Sequence, residues 1–253
     1  MNFKEKTVYQ IYPKSFQDSN KDGWGDLRGV ISKLDYLQTL GIDYIWFNAM
    51  FVSPQRDNGY DVEDYRKIDE RYGTMDDFTE LCAEAKKRNI DIMLDMVFNH
   101  TSTRHAWFQK AINGDEKYKA YYFFRKGKKD GSAPTNWQSK FGGSAWEYVD
   151  TLDEYYLHLY DVTQADLNWD NPEVRKELAD IVNFWRSKGV HGFRFDVVNL
   201  VSKECFEDDP DLFDGRQFYT DGPHIHEYLK ELHLNSFGKD ENSMTVGEMS
   251  STT

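Results

Sequence analysis

Long hydrophobic runs are absent from this sequence, and no stretch of about 18 apolar residues could cross a bilayer as a helix. The N-terminal MNFKEKTVYQIYPKSF lacks the apolar core of a secretory leader. Cysteine is scarce: Cys82 and Cys205 are the only ones and have no CxxC spacing. That excludes a disulfide framework or a thiolate metal site and points to a reducing, cytoplasmic setting. Positive charge is in deficit, with 31 Lys and Arg against 44 Asp and Glu. The resulting net charge of −13 speaks against nucleic acid or an anionic membrane as partner. Missing too is a glycine fingerprint after the first predicted strand, which excludes a dinucleotide-binding sheet.

What is present is an alternation of strand and helix signals. β-rich or apolar runs at 7–13, 43–50, 91–100, 192–200 and 243–249 predict five strands. Helical spacing at 27–41, a capping box from Thr74 to Asp77 opening a helix to about Arg88, Asn171-Pro172-Glu173, and an amphipathic stretch at 223–233 predict the helices between them. Short joins between such elements imply parallel βαβ units. Between His100 and about residue 168 the periodicity is lost, while aromatics persist at Trp107, Phe108, Tyr121, Tyr122, Trp137, Phe141 and Trp146. That stretch predicts an inserted small domain. Aromatics make up 16% of the chain, and rings in such polar segments suit the C–H faces of sugars.

Two stretches carry chemistry. In DSNKDGWGD, oxygen side chains fall on alternate residues, Asp18, Asn20 and Asp22, with glycine at the sixth position and Asp26 at the ninth. Hard oxygens at this spacing suit calcium, with magnesium as the alternative and the Trp24 carbonyl as a further ligand. The twelfth position is Gly29, so the bidentate glutamate of an EF-hand is absent. In GFRFDVVNL, Arg194 and Asp196 share one face of a strand. A cation there favours an ionised acid, as a nucleophile requires. Glu248 lies at the end of the next predicted strand in an apolar run, with no cation beside it in sequence, which predicts a raised pKa. Neighbouring parallel strands stand about 4.8 Å apart. Two acids on them would face each other across about 5 Å, the separation of a retaining glycosidase.

The motifs QIYPKSF, DSNKDGWGD, DNGYD, DMVFNH, QADLNW, GFRFD and VGE, in this order along nearly the whole chain, resemble the α-amylase superfamily, glycoside hydrolase family 13. The resemblance implies a (β/α)8 TIM-type barrel, here incomplete. Residues 1–100 would form its first part, 101–168 a small domain inserted after the third strand, and 169–253 its continuation. It implies Asp196 as nucleophile, Glu248 as acid/base and Arg194 as support for the nucleophile. Asp61 and His100 would hold the sugar in the cleavage subsite, with Tyr65, Phe141, Tyr160 and Gln164 nearby. Within the family QADLN, FGGSAW, DGRQFYTDGP and GEMSSTT are similar to members that cleave a phosphorylated disaccharide. An α-glucosidase of 1,6-linked sugars is the alternative, and a non-catalytic sugar-binding remnant a third reading. A phosphate needs cations at the rim, and Arg56, Lys140, Lys203 and Arg216 are the candidates.

The chain departs from the family at the end of the second strand, where Phe47-Asn48-Ala49 replaces an apolar residue followed by Thr or Ser and proline. The family's third catalytic carboxylate follows a seventh strand, outside these 253 residues. Five strands cannot close an eight-stranded barrel. The expectation is therefore the first part of a longer chain, without useful turnover alone and prone to associate at its open edges.

Overall fold

The computed structural model describes residues 3–251; the last two residues of the GEMSSTT segment lie outside the described residues. Five strands, β1 (Val8–Ile11), β2 (Tyr44–Phe47), β3 (Asp91–Met96), β4 (Gly192–Phe195) and β5 (Met244–Gly247), form one sheet in chain order. Every pairing is parallel. Strands that pair in parallel and carry helices on their faces are buried on both sides, hence the near-continuous apolar runs. The architecture is the first five strands of a (β/α)8 barrel, with β1 and β5 at its open edges.

The helices are set by their caps and apolar spacing. The first predicted helix is two pieces, α1 (Leu27–Ser32) and α2 (Leu34–Thr39), broken where Lys33 turns to φ −109° and ψ 5° and its N–H reaches back to Val30. Periodicity alone could not show the break, because Leu27, Val30, Leu34 and Leu37 stay on the buried face across it. The Thr74–Asp77 capping box opens α3 (Met75–Lys87). Asn171 and Pro172 open α4 (Pro172–Ser187), which buries Val174, Leu178, Ile181, Val182 and Trp185 at helical spacing. Trp185 stacks on Phe51 at 5.1 Å, meets Phe78 edge-on and donates to the Tyr65 carbonyl. Truncating so buried a ring would cost roughly 3–5 kcal/mol. α5 (Ile225–Asn235) closes the last crossover.

The fourth strand is shorter than predicted. It ends at Phe195, Val197 turns left-handed at φ 37°, and Val198–Leu200 form a short 3-10 turn. A left-handed valine is strained by its branched Cβ, at a cost of order 1–3 kcal/mol. The strain falls on the residue after Asp196.

Between β3 and α4, Phe124–Arg125, Trp146–Val149 and Glu154–Leu157 form a small antiparallel sheet. Gln164–Asp166 pairs antiparallel with His100–Ser102 and ties this segment to the end of β3. Its rings mostly serve packing. Trp107, Phe108, Tyr121, Tyr122, Trp137 and Trp146 are all buried, while Phe141 is 59% exposed. One cluster joins Phe123, Trp137, Trp146 and Leu157 to Val197, Leu200 and Tyr219. The inserted segment and the loop after β4 therefore share apolar packing, and the sugar-platform expectation for its aromatics narrows to few rings.

Candidate active site

The site is built from strand register. Arg194 on β4 lies directly opposite Asp95 on β3 and opposite Val246 on β5, so Asp196 and Glu248 emerge side by side two residues further on. The Arg194 guanidinium gathers three acids. Its Nη1 lies 2.7 Å from Asp95 Oδ1 and 2.6 Å from Asp196 Oδ1, and its Nη2 lies 2.7 Å from Glu248 Oε2. The strained Val197 donates its N–H to Glu248 Oε2 at 3.2 Å. Arg194, Asp196, Val197 and Glu248 face a cavity of about 320 Å³ whose other walls are Asp57, Tyr60, His100, Phe141, Tyr160 and Ser250, with Asp95 buried behind.

One cation cannot neutralise three acids, and like charges this close cannot all ionise. Burial pushes the Asp95 carboxyl up to about 6, although Arg194 pulls the other way. Asp196 is driven well above the usual carboxylate range by burial and by Asp95, against Arg194; Glu248 adds a like charge and a hydrogen bond. The sequence argument that Arg194 alone would depress Asp196 is therefore corrected: burial and two neighbouring acids outweigh it. The expected setting of Glu248 is corrected too. Its side chain is 46% exposed and ion-paired to Arg194 from the neighbouring strand. The cation was invisible in sequence because it comes from across the sheet. The two acids hold the same guanidinium, Asp196 at Nη1 and Glu248 at Nη2.

The Asp57–Asp61 turn supplies the opposite wall. Gly59 has φ 102°, and a Cβ there would lie 2.5 Å from the Ala49 carbonyl oxygen, so only glycine lets the turn close on β2. The turn presents Asp57 and Tyr60 to the cavity, two residues the sequence reading passed over. Asp61 and Tyr65 do not line it. Asp61 is fully buried, accepting from Ser53 Oγ and the N–H groups of Arg56 and Asp57, and so shapes the turn that carries Asp57. Tyr65 is 2% exposed and donates to the carbonyls of Val97 and His100 as a core residue.

Tyr60 donates to Asp95 Oδ2 at 3.0 Å and accepts from Asn48 Nδ2 at 2.8 Å. Asn48, one of the residues expected to depart from the family pattern, thus anchors a cavity wall. The signal for Asp95 was an acid inside a strand whose neighbours are all apolar, a buried charge that needs a partner.

His100 closes the floor, with Gln164 behind it. Asn99 Nδ2 donates to Asp166 Oδ2 and to His100 Nδ1, so the ring proton sits on Nε2, 3.0 Å from the Tyr60 carbonyl. Burial depresses the His100 pKa and keeps the ring neutral. Gln164 is buried behind the wall and donates to Asp57 Oδ2 at 2.9 Å. Tyr160 packs against His100 and edge-on to Phe141 at 5.6 Å.

Of the four candidate phosphate cations, Lys203 is ruled out by its surroundings. It is wholly buried with Asp166 at 3.0 Å and caps the Leu200 carbonyl. Arg56 is exposed, and Arg216 is held by Asp214 at 2.6 Å. Lys140 lies at the rim beside Tyr160 and Tyr219.

In the 18–26 loop, Asp18 accepts the N–H groups of Asn20, Lys21 and Gly23, which holds its carboxyl below the usual range. Asn20 and Asp22 each accept the N–H two residues on. Asp26 is used as the cap of α1, accepting from Gly29 N and Ser19. Among the described residues no group of three or more His, Cys, Asp or Glu converges as a metal site. No helix among them is long and apolar enough to cross a membrane.

Residues 10–253 match the family described as alpha amylase, catalytic domain. The chain is 54% identical to the trehalose-6-phosphate hydrolase of Bacillus subtilis (strain 168), over 99% of its own length and 45% of the relative's. With the trehalose-6-phosphate hydrolase of Escherichia coli (strain K12) the identity is 57%, over 97% of this chain and 44% of that protein. With the oligo-1,6-glucosidase of Bacillus cereus it is 49%, over 99% and 46%. The crystal structure of Bacillus licheniformis trehalose-6-phosphate hydrolase superposes with a TM-score of 0.97 at 55% identity, over 99% of this chain and 45% of that one. The chain thus spans less than half the length of these relatives.

Proposed function

The chain belongs to the alpha-amylase family, and from that premise we propose that it carries the nucleophile and the acid/base of a retaining α-glucosidase acting on trehalose 6-phosphate. The observation that supports this most is the Arg194 cluster, which sets two acids on neighbouring strands at one end of the cavity. Asp196 attacks the anomeric carbon as the glycosidic bond breaks, and Glu248 gives its proton to the leaving oxygen. A covalent glucosyl ester on Asp196 results, and glucose 6-phosphate departs. Glu248, now ionised, takes a proton from water, whose oxygen displaces Asp196 and releases glucose.

The crowding of acids supports the proton inventory. Burial and mutual repulsion raise the Asp95 and Asp196 carboxyls, and Glu248, the more exposed of the three acids, is the one placed to reach the leaving oxygen. The neutral His100 and the wall of Asp57 and Tyr60 supply polar contacts for the sugar hydroxyls.

The test is hydrolysis of trehalose 6-phosphate, isomaltose and trehalose by the chain extended to the length of its relatives. Trehalose 6-phosphate is the expected substrate. Cleavage of isomaltose but not of the phosphorylated sugar would replace this reading with the oligo-1,6-glucosidase one, which the Bacillus cereus relative favours.

The same reading gives the 18–26 loop a calcium ion, with magnesium as the alternative. The donor chemistry fits, because an ionised Asp18 and the oxygens of Asn20 and Asp22 are folded into one turn, with the Trp24 carbonyl as the expected further ligand. When bound, the ion would supply structural support. Its reality is checked by calcium titration calorimetry of the chain. Both cysteines are free, which suits a cytoplasmic enzyme.

A further inference from the structure

The cations around the cavity differ in how they are satisfied. Arg194 is spent on three acids and Lys203 on Asp166. Arg216 is bound to Asp214 through Nε and Nη2, with Nη1 outside that pair. Lys140 is the exception: half-buried in a chain of net charge −13, it has no ion-pair partner among the described residues. Its ammonium bonds the Ser251 hydroxyl and stands 5.4 Å from the Tyr219 ring centre and 6.0 Å from that of Tyr160. Burial and the nearby Arg216 both push its pKa down, so the site disfavours the charge it holds and would gain from an anion.

Its position follows from the chain. Lys140 precedes Phe141, which lines the cavity, and its partner Ser251 follows Ser250, which lines it too. Phe141 and Ser250 line the same cavity as Glu248, and Lys140 and Ser251 are their neighbours in the chain. A general acid protonates the oxygen that leaves, so the departing sugar lies beside Glu248, and Lys140 is bonded to Ser251 three residues further along that segment. Resting on the functional reading above, we infer that Lys140, assisted by Arg216, seats the phosphate dianion of the leaving sugar and selects phosphorylated over neutral disaccharides. An ammonium and a guanidinium offer a monoester dianion charge-assisted hydrogen bonds from two sides. The Tyr160 and Tyr219 rings and the Ser251 hydroxyl stand around the ammonium, which fixes it rather than leaving it to sweep through solvent.

The experiment compares Lys140→Gln and Lys140→Arg with wild type in the chain extended to full length, using trehalose 6-phosphate and the neutral p-nitrophenyl α-glucoside. The quantity read is the ratio of the two kcat/KM values. Lys140→Gln is expected to lower that ratio by about 10- to 100-fold, mainly through KM for the phosphorylated sugar, as loss of one charge-assisted hydrogen bond implies. Lys140→Arg is expected to restore most of it. A ratio unchanged in Lys140→Gln, in an enzyme whose wild type cleaves trehalose 6-phosphate, overturns the lysine's role and leaves the function standing. A wild type that cleaves only the neutral glucoside overturns both. Equal loss on both substrates, with no rescue by arginine, marks a packing role and also overturns the inference.

Discussion

Two buried cations in this fold, Lys203 and Arg194, are treated in opposite ways. Lys203 is wholly enclosed with one acid, Asp166, and its remaining donors meet Asn99 and the Leu200 carbonyl. Charge and hydrogen bonds are balanced there, and the pair pins the inserted segment to the loop after β4. Arg194 serves three acids at the edge of a cavity, and the surplus negative charge forces a proton to stay. The first arrangement resists change. The second is left short of one positive charge, as a site that must accept a developing cation at an anomeric carbon would be.

That contrast can be broken most sharply at Asp196. In the extended enzyme, Asp196→Asn or Glu248→Gln should lower turnover at least about a thousandfold. The Asp196→Asn change removes a like charge from a crowded group, so urea unfolding should show stability unchanged or raised by about 1 kcal/mol. At the balanced pair the order reverses. Lys203→Met leaves Asp166 buried and uncompensated, and unfolding should show a loss of about 3–5 kcal/mol. Adding Asp166→Leu should recover most of it; no recovery would mean that the pair's hydrogen bonds, not its charges, matter.

A buried base held neutral offers a third setting. His105 Nδ1 caps the Ala106–Ile112 helix by accepting the Trp107 N–H, and burial pushes its pKa from 6.5 down to about 4. Between those values the unfolded chain binds a proton that the folded chain does not. This contribution is therefore complete above pH 6.5 and is lost as pH falls towards 4. It amounts to about 3 kcal/mol, and His105→Asn, which keeps a cap, should flatten the stability profile across that window. The smallest effect belongs to the 18–26 loop, outside the cavity. Saturating calcium should raise the melting temperature by a few degrees, and Asp18→Asn should abolish the rise.

Much of the barrel wall was legible because apolar runs, caps and glycine stops are local signals. Thr74, Asn171 and Gly189 mark helix ends without help from the rest of the chain. The ends of strands were less legible: β4 stops at Phe195 because the chain must turn left-handed at Val197, and a valine gives no warning of that. Within the site, Arg194, Asp196 and Glu248 could be picked out from register alone. Asp57 and Tyr60 could not be separated from Asp61 and Tyr65 by spacing, since a five-residue turn projects its side chains in directions set by Gly59 and Ser53. The protonation logic was least accessible of all. It depends on Asp95 and on an arginine reaching across the sheet, both contacts between residues far apart in sequence.

The account rests on Asp196 being the attacking group, and trapping the intermediate tests this most directly. The extended enzyme is incubated with 5-fluoro-α-glucosyl fluoride, digested with trypsin and analysed by mass spectrometry. Cleavage after Arg194 and Lys203 leaves Asp196 in the peptide 195–203, separate from Glu248, so the two acids are distinguished without ambiguity. The account predicts the glucosyl label on Asp196. A label on Glu248, or turnover that releases inverted β-glucose with no labelled peptide, would contradict it.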